Sequence, residues 1–239
     1  MLNVIIVTFN AEETIEETLK SVLSYSKVCR VIIKDGGSLD FTCKRVQAFS
    51  DSRIELYSFE DAGIYDAMNF AIGKVPLGEY FCFINSGDAL VIESDDAFAL
   101  SSYNIIFYDV LIRLRENSYK RFKTNVTGTV KKLHHQGIIV RKEQDQILFD
   151  LSIGLMSDLD WMTCLLEKYF NNYKLVPDVL SCISPGGISD LQSFKRLGSY
   201  IKFCKKNHIK FYITFDFYKI LAKVFMPYKI VMIYRRLVK

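Results

Sequence analysis

The stretch "EYFCFINSGDAL", residues 79–90, decides how this chain is read. Its first half is apolar and aromatic, the composition of a buried strand. Its second half is a polar turn that carries one carboxylate, Asp88. Either the turn is an acidic site reduced to a single acid, or it is an ordinary connection that happens to contain one.

The residues before it favour the first reading. "VIIVTF" (4–9) is apolar and β-branched, as in a strand covered on both faces. A helix follows with Ile15, Leu19, Val22 and Leu23 on one stripe and Glu12, Glu13, Glu16 and Glu17 in its first turns, where acids suit the helix dipole. "RVIIK" (30–34) predicts a second strand that breaks at "DGGS", before a helix around Thr42–Phe49. "RIELYSF" (53–59) predicts a third strand, and "DAGIYDAMNFAIGKV" a turn that becomes a helix. Strands alternating with helices imply a mostly parallel sheet flanked by helices on both faces, a Rossmann-like α/β fold. In such sheets ligands bind beyond the carboxyl ends of the strands. Polar clusters fall at four of those ends: Thr8–Asn10, Asp35–Ser38, Asp61–Asp66 and Asn85–Asp88.

Downstream, "NIIFYDVLIRL" and "SYKRFKTN" read as a strand pair turning at "ENS". "HHQGIIV" leads into a strand ending near Val140, and "SDLDWMTCLLEKYF" into a helix entered through an acidic turn. "YKLVPDVLSCISPGGIS" reads as a short strand and a glycine-rich loop.

With 239 residues, half of them hydrophobic and 24% charged, the chain affords a sizeable core. The six cysteines (Cys29, Cys43, Cys82, Cys164, Cys182, Cys204) show no ligand spacing, which implies a reducing compartment without disulfides or a cysteine metal site. "MLNVIIVTFN" lacks a basic lead and reads as a strand, not a signal peptide. No charge-free apolar run reaches 18 residues, so a spanning helix is not expected. The net charge of +4 conceals an asymmetry: from Leu191 onward there are 12 Lys/Arg and one acid, Asp216.

That basic tail places Phe194, Leu197, Tyr200, Ile201 and Cys204 on one helical face and Lys195, Lys202, Lys205 and Lys206 on the other. "FYITFDFYKILAKVFM" (211–226) would extend about 24 Å as a helix, short of a bilayer core of about 30 Å. Pro227 ends it, and "YKIVMIYRRLVK" continues basic and aromatic. The pattern suits helices lying on an anionic membrane surface, with packing against the body as the alternative. No nucleic-acid motif accompanies the bases, and nucleic acid is not an expected partner.

Taken together, "VIIVTFNAEETIEETLKSVL", "VIIKDGGSLDFT", "DAGIYDAMNFAIGKVPLGEYFCFINSGDAL", "HHQGIIV" and "SDLDW" resemble glycosyltransferase family 2, in particular the branch that builds bacterial surface polysaccharides. The resemblance covers roughly residues 1–190 and implies a GT-A fold there; by their own pattern residues 191–239 read as a basic, aromatic membrane-associating extension. It further implies a nucleotide-diphosphate sugar donor (a UDP-sugar foremost), a divalent cofactor (Mn²⁺ or Mg²⁺) and inversion at the anomeric carbon. The acceptor it implies is a polyprenyl-diphosphate-linked saccharide, met by a cytoplasmic protein peripheral on the inner face of the membrane.

Residue by residue, the resemblance makes Asp88 the metal ligand, the survivor of a D-x-D-D cluster whose other positions here are Asn85, Ser86 and Gly87. On the donor side it implies Thr8, Asn10, Asp35 (toward the base), Gly63, Tyr65, Asp66, Asn69, Asn85, Ser86, His135 and Gln136. Asp158 matches the general base, with Asp160 as competitor. Each also has a plainer role open to it: Thr8 and Asn10 can cap a helix, Asp35 can close a turn, and Asp61, Asp66, Asp158 or Asp160 can cap helices. "PGGIS" (185–189) resembles the late glycine loop beside the acceptor. Loss of two acids leaves a non-catalytic donor-binding relative as one alternative. A sugar nucleotidyltransferase is another, although "TFNAEET" has neither the glycine-rich loop nor the basic residue that a triphosphate needs.

Overall fold

The computed structural model describes residues 1–92, 102–115, 117–127, 132–184 and 193–208. The late glycine loop (185–189) and the tail segments 211–226 and 228–239 lie outside the described residues. Two compact units divide the chain: Met1–Phe149 with Trp161–Pro185, and Asp150–Asp160 with Gly186–Lys239.

In the first unit the expected alternation is present. β1 (Leu2–Thr8), β2 (Val28–Asp35), β3 (Ile54–Ser58) and β4 (Tyr80–Phe83) pair in parallel in the order β3–β2–β1–β4. Between them come α1 (Ile15–Leu23), α2 (Thr42–Gln47) and α3 (Ile64–Lys74). Every residue of β1 is buried, as a strand covered on both faces requires. Leu2, Val4 and Ile6 meet Ile15, Leu19 and Val22 of α1 and Val46 of α2 in one core. Strand alternation turns Ile5, Val7 and Ile32 to the other face, and α3 packs on β1 and β2. Arg45 of α2 reaches Glu16 of α1 at 2.6 Å.

Beyond β4 the sheet becomes mixed. β5 (Ala89–Leu90), β6 (Ile105–Arg115), β7 (Ser118–Phe122), β8 (Ile138–Arg141) and β9 (Tyr173–Ile183) extend it as β4–β8–β6–β9–β5, with β7 on β6. β8 runs antiparallel to both β4 and β6, whereas β6 and β9 are parallel. The strand pair at "ENS" is the β6–β7 antiparallel pair. β9 is 11 residues long, not short, even though it contains Pro177. The pairing of β6 with β9 slips between Phe107 and Asp109, opposite residues 175–179, and this irregularity accommodates the missing proline N–H. α4 (Ser157–Lys168) is the helix expected from "SDLDW".

In the second unit α5 (Ser193–Lys206) is the first tail helix. Its inner face differs from the expected one: Phe203 is buried with Cys204 against Ile153 and Met156, and Ile201 is exposed. Counting apolar positions at i, i+3 and i+4 admitted Ile201 and missed Phe203, because the helix is turned so that Ser199, also buried, lies on its inner side.

Gly137 ends a 3-10 turn (His135–Gly137) that feeds β8. A Cβ there would sit 2.8 Å from the Tyr108 carbonyl oxygen and 2.9 Å from Val110 Cγ2. Gly137→Ala is therefore expected to cost about 1–3 kcal/mol of stability, read as a lower urea midpoint at unchanged slope.

Candidate functional site

The carboxyl ends of β1, β2, β3 and β4 bring the four polar clusters to one rim of the parallel sheet. Thr8 and Asp35 are register partners at the ends of β1 and β2. The loops beyond them are stitched together. The Asn10 amide donates to Ser38 Oγ at 2.7 Å, and Asn10 Oδ1 accepts from the Leu39 amide at 3.0 Å. The Ala11 amide donates to Thr42 Oγ1 at 2.7 Å. Asn10 adopts φ 47°, a left-handed conformation that asparagine tolerates. Thr8 is buried, and its Oγ1 has no hydrogen-bond partner among the described residues.

Asp35 is completely buried. Its Oδ2 accepts from the amides of Gly37 (3.0 Å) and Ser38 (2.9 Å) and from Ser58 Oγ (2.8 Å), and its Oδ1 from the Ser38 hydroxyl. Burial pushes its carboxyl up, but the bonds from Ser38 and Ser58 outweigh that and hold it below the usual carboxylate range. The aspartate thus shapes the "DGGS" turn from inside. Beside it lies Lys34, also fully buried, which the sequence reading overlooked. Its Nζ donates to the carbonyls of Asp35 and Phe59 at 2.6 Å each and to Asp61 Oδ2 at 2.8 Å, and it lies over the Phe59 ring. A lysine inside an apolar strand is the signal that could have found it, since buried lysines need partners.

At the start of α3, Gly63 has φ 119°. Asp61 Oδ1 accepts from its amide, and Asp66 Oδ2 from that of Ala62. Tyr65 stacks on Phe149 at 5.3 Å. Asn69 exchanges two hydrogen bonds with the Phe149 backbone, at 2.9 and 2.8 Å. Its amide is committed to holding that chain segment.

The turn after β4 is held from several sides. Asp88 is 8% exposed. Its Oδ1 accepts from the Ser184 amide and its Oδ2 from Gln136 Nε2, both at 2.7 Å. Gln136 Oε1 in turn accepts from the Asn85 amide at 3.1 Å, so one buried side chain clasps both ends of "NSGD". Thr18 Oγ1 donates to the Asp88 carbonyl at 2.8 Å and accepts from the Gly87 amide at 3.0 Å. The sequence hint for Thr18 was a polar residue on the apolar stripe of α1. Ser86 Oγ lies 3.3 Å from Thr14 Oγ1. Asn85 Nδ2 is 3.4 Å from His135 Nε2, and its buried Oδ1 has no hydrogen-bond partner among the described residues. Burial pushes the Asp88 carboxyl above its ordinary value; the bonds from Ser184 and Gln136 offset only part of this.

Among the described residues no three His, Cys, Asp or Glu side chains gather in a metal-ligating group. What the turn offers a cation is one buried carboxylate and one amide oxygen, Asn85 Oδ1, without a partner among the described residues. That set fits Mg²⁺ or Mn²⁺ only when phosphate oxygens and water complete the coordination.

In the second unit, Asp158 is half-buried and its Oδ1 accepts from the Leu159 amide at 2.8 Å. Asp160 is 1% exposed and committed: Lys206 Nζ lies 2.8 Å from its Oδ2, and Asn207 Nδ2 donates to its Oδ1 at 2.9 Å. Lys206 also pairs with Asp150 at 2.8 Å.

This architecture is that of the GT-A glycosyltransferases. The chain superimposes on Staphylococcus aureus TarS (residues 1–349, in complex with UDP) with a TM-score of 0.63 at 17% identity, covering 90% of this chain and 74% of that one. It superimposes on the mannosyltransferase PcManGT from Pyrobaculum calidifontis, in complex with GDP-Man and Mn²⁺, with a TM-score of 0.62 at 16% identity, covering 93% and 68%. Residues 3–91 match Glycosyl transferase family 2, which bears out the resemblance seen in the sequence. The Escherichia coli UDP-Glc:alpha-D-GlcNAc-diphosphoundecaprenol beta-1,3-glucosyltransferase WfgD is 30% identical over 119 residues, 44% of this chain and 47% of that protein. The chain thus spans about half the length of that curated relative.

The Lys206 pair sets a pH dependence. It holds the Asp150 carboxyl down at about 2, from an ordinary 3.8. The unfolded chain therefore takes up this proton first. The stabilisation is complete above about pH 4 and is lost as pH falls toward 2. Urea midpoints measured from pH 5 to 2 should drop, and Lys206→Met should flatten that drop.

Proposed function

We propose that the chain is an inverting, metal-dependent glycosyltransferase of bacterial polysaccharide assembly (O-antigen, capsule or exopolysaccharide). It moves a sugar from a UDP-sugar to a hydroxyl of a polyprenyl-diphosphate-linked saccharide. Residues 1–190 form the donor-binding and catalytic domain. Residues 191–239 hold the protein to the cytoplasmic face of the membrane. The observation that carries the reading is Asp88: a buried carboxylate without an ion pair among the described residues, set beyond a parallel strand inside the segment that matches the family. A carboxylate desolvated in this way gains from a cation brought by a diphosphate.

In this reading Asp88 and Asn85 face a divalent ion, which when bound would neutralise charge on the departing diphosphate. Thr8 offers an unsatisfied hydroxyl to the nucleotide, Asn10 and the Asp35 turn shape its base pocket, and Ser86 and His135 lie on the diphosphate side. Gly63, Tyr65 and Asp66 form the donor-side loop. Asn69 and Gln136 serve that site by fixing Phe149 and the "NSGD" turn. Asp158, the first acid of the turn that opens α4 and the one that matches the family's base, takes the acceptor proton. Support for the donor and acceptor classes comes from WfgD, whose name specifies UDP-Glc and a diphosphoundecaprenol-linked GlcNAc. No described helix is long and apolar enough to cross a membrane.

Two variants test the roles, with UDP-glucose and a synthetic lipid-diphosphate GlcNAc acceptor. Asp88→Ala should lose metal-dependent donor binding. Asp158→Asn should bind donor as the parent does and lose about 10²–10⁴-fold in transfer. Parent-like transfer by Asp158→Asn would remove it as the base. Donor binding without any transfer by the parent, on a panel of such acceptors, would favour a non-catalytic relative.

A further inference from the structure

The segment that carries Asp158 is held by the tail helix at several points, all within the second unit. Lys206 Nζ lies 2.8 Å from Asp150 Oδ2 and 2.8 Å from Asp160 Oδ2, and so pins the segment 150–160 at both ends. Asn207 Nδ2 adds a bond to Asp160 Oδ1 at 2.9 Å. Lys202 Nζ donates to the Ser152 carbonyl at 2.9 Å, and Ser199 Oγ accepts from the Leu155 amide at 3.0 Å. Under these bonds Phe203 and Cys204 pack against Ile153 and Met156. Approach is close enough that a Cβ on Gly154, whose φ is 76°, would sit 2.7 Å from Ser199 Oγ.

The electrostatics point the same way. Residues 150–160 contain three carboxylates, Asp150, Asp158 and Asp160. Lys206 pairs with two of them, Asp150 and Asp160. Burial pulls the Lys206 ammonium down, but its two carboxylate partners outweigh that and keep it charged far above neutral pH. A buried acid such as Asp160, stripped of this partner, would be an uncompensated charge two residues from Asp158.

We propose that α5 is a positioning element for sugar transfer, in which Lys206 fixes the segment bearing Asp158. The inference rests on the reading of Asp158 as base. It assigns the basic face of the tail an internal task beside any contact with lipid. Positioning errors of an ångström can cost a factor on the order of 10² in rate, so the tail helix governs transfer without governing donor binding.

The test uses the full chain with Lys206→Met and Lys206→Arg. Lys206→Met should lower kcat by at least about tenfold, with the calorimetric Kd for UDP-sugar and Mn²⁺ unchanged. Lys206→Arg, which can still reach both carboxylates, should recover most of the loss. Amide hydrogen exchange should quicken in residues 150–160 of Lys206→Met and stay as in the parent across residues 1–92. Parent-like kcat in Lys206→Met would overturn the proposal, as would joint loss of donor binding and transfer. Asp158→Asn separates the two layers: if it transfers normally the base assignment fails, whereas an inactive Asp158→Asn beside a fully active Lys206→Met refutes only the positioning role.

Discussion

A carboxylate that is 8% exposed and forms no ion pair among the described residues carries a desolvation cost that hydrogen bonds must offset. Asp88 meets it with donors brought from far along the chain, Gln136 48 residues away and Ser184 96 residues away. Gln136 heads β8, the strand that switches the sheet from parallel to antiparallel. Ser184 follows β9, the parallel partner of β6. The mixed half of the sheet therefore converges on the last turn of the parallel half. The result is a buried carboxylate whose two oxygens are fixed by long-range hydrogen bonds that offset its desolvation only in part. Preorganised polar groups of this kind do not have to reorient when charge develops.

The neighbouring turns use the same economy of buried polar groups. Asp35 is surrounded by the amides and hydroxyls of its own turn, and Lys34 binds that turn to the segment after β3 through Asp61. Partners for such groups are obligatory, because an unpaired buried charge would cost several kcal/mol. Thr8 Oγ1 and Asn85 Oδ1 are buried polar atoms left without a hydrogen-bond partner among the described residues.

Much of the fold was legible in the sequence. β1 and β2 announced themselves as apolar, β-branched runs, β3 by its alternation, β4 as an apolar, aromatic run before a polar turn, and α1 through the spacing of Ile15, Leu19 and Val22. The antiparallel switch at β8 was not legible, since pairing direction leaves no mark in a four-residue apolar strand. The length of β9 was obscured by Pro177, and the rotation of α5 by the similar apolarity of Ile201 and Phe203. At the candidate site, residue types and places were readable, but not how each polar atom is spent. Asn69, Asp35 and Gln136 turn their hydrogen-bonding groups inward to backbone and neighbours, a long-range outcome that local pattern cannot encode. The partition that joins residues 150–160 to the tail had no sequence signal at all.

The proposed donor site at Asp88 is completed by a divalent ion together with a nucleotide diphosphate. Calorimetric titration of UDP-glucose and other nucleotide-diphosphate sugars, once with Mn²⁺ and once with chelator, tests it most directly. The account predicts saturable binding of a UDP-sugar with Mn²⁺ and its loss with chelator. Equal binding with and without the ion, or no binding of any donor, would contradict it.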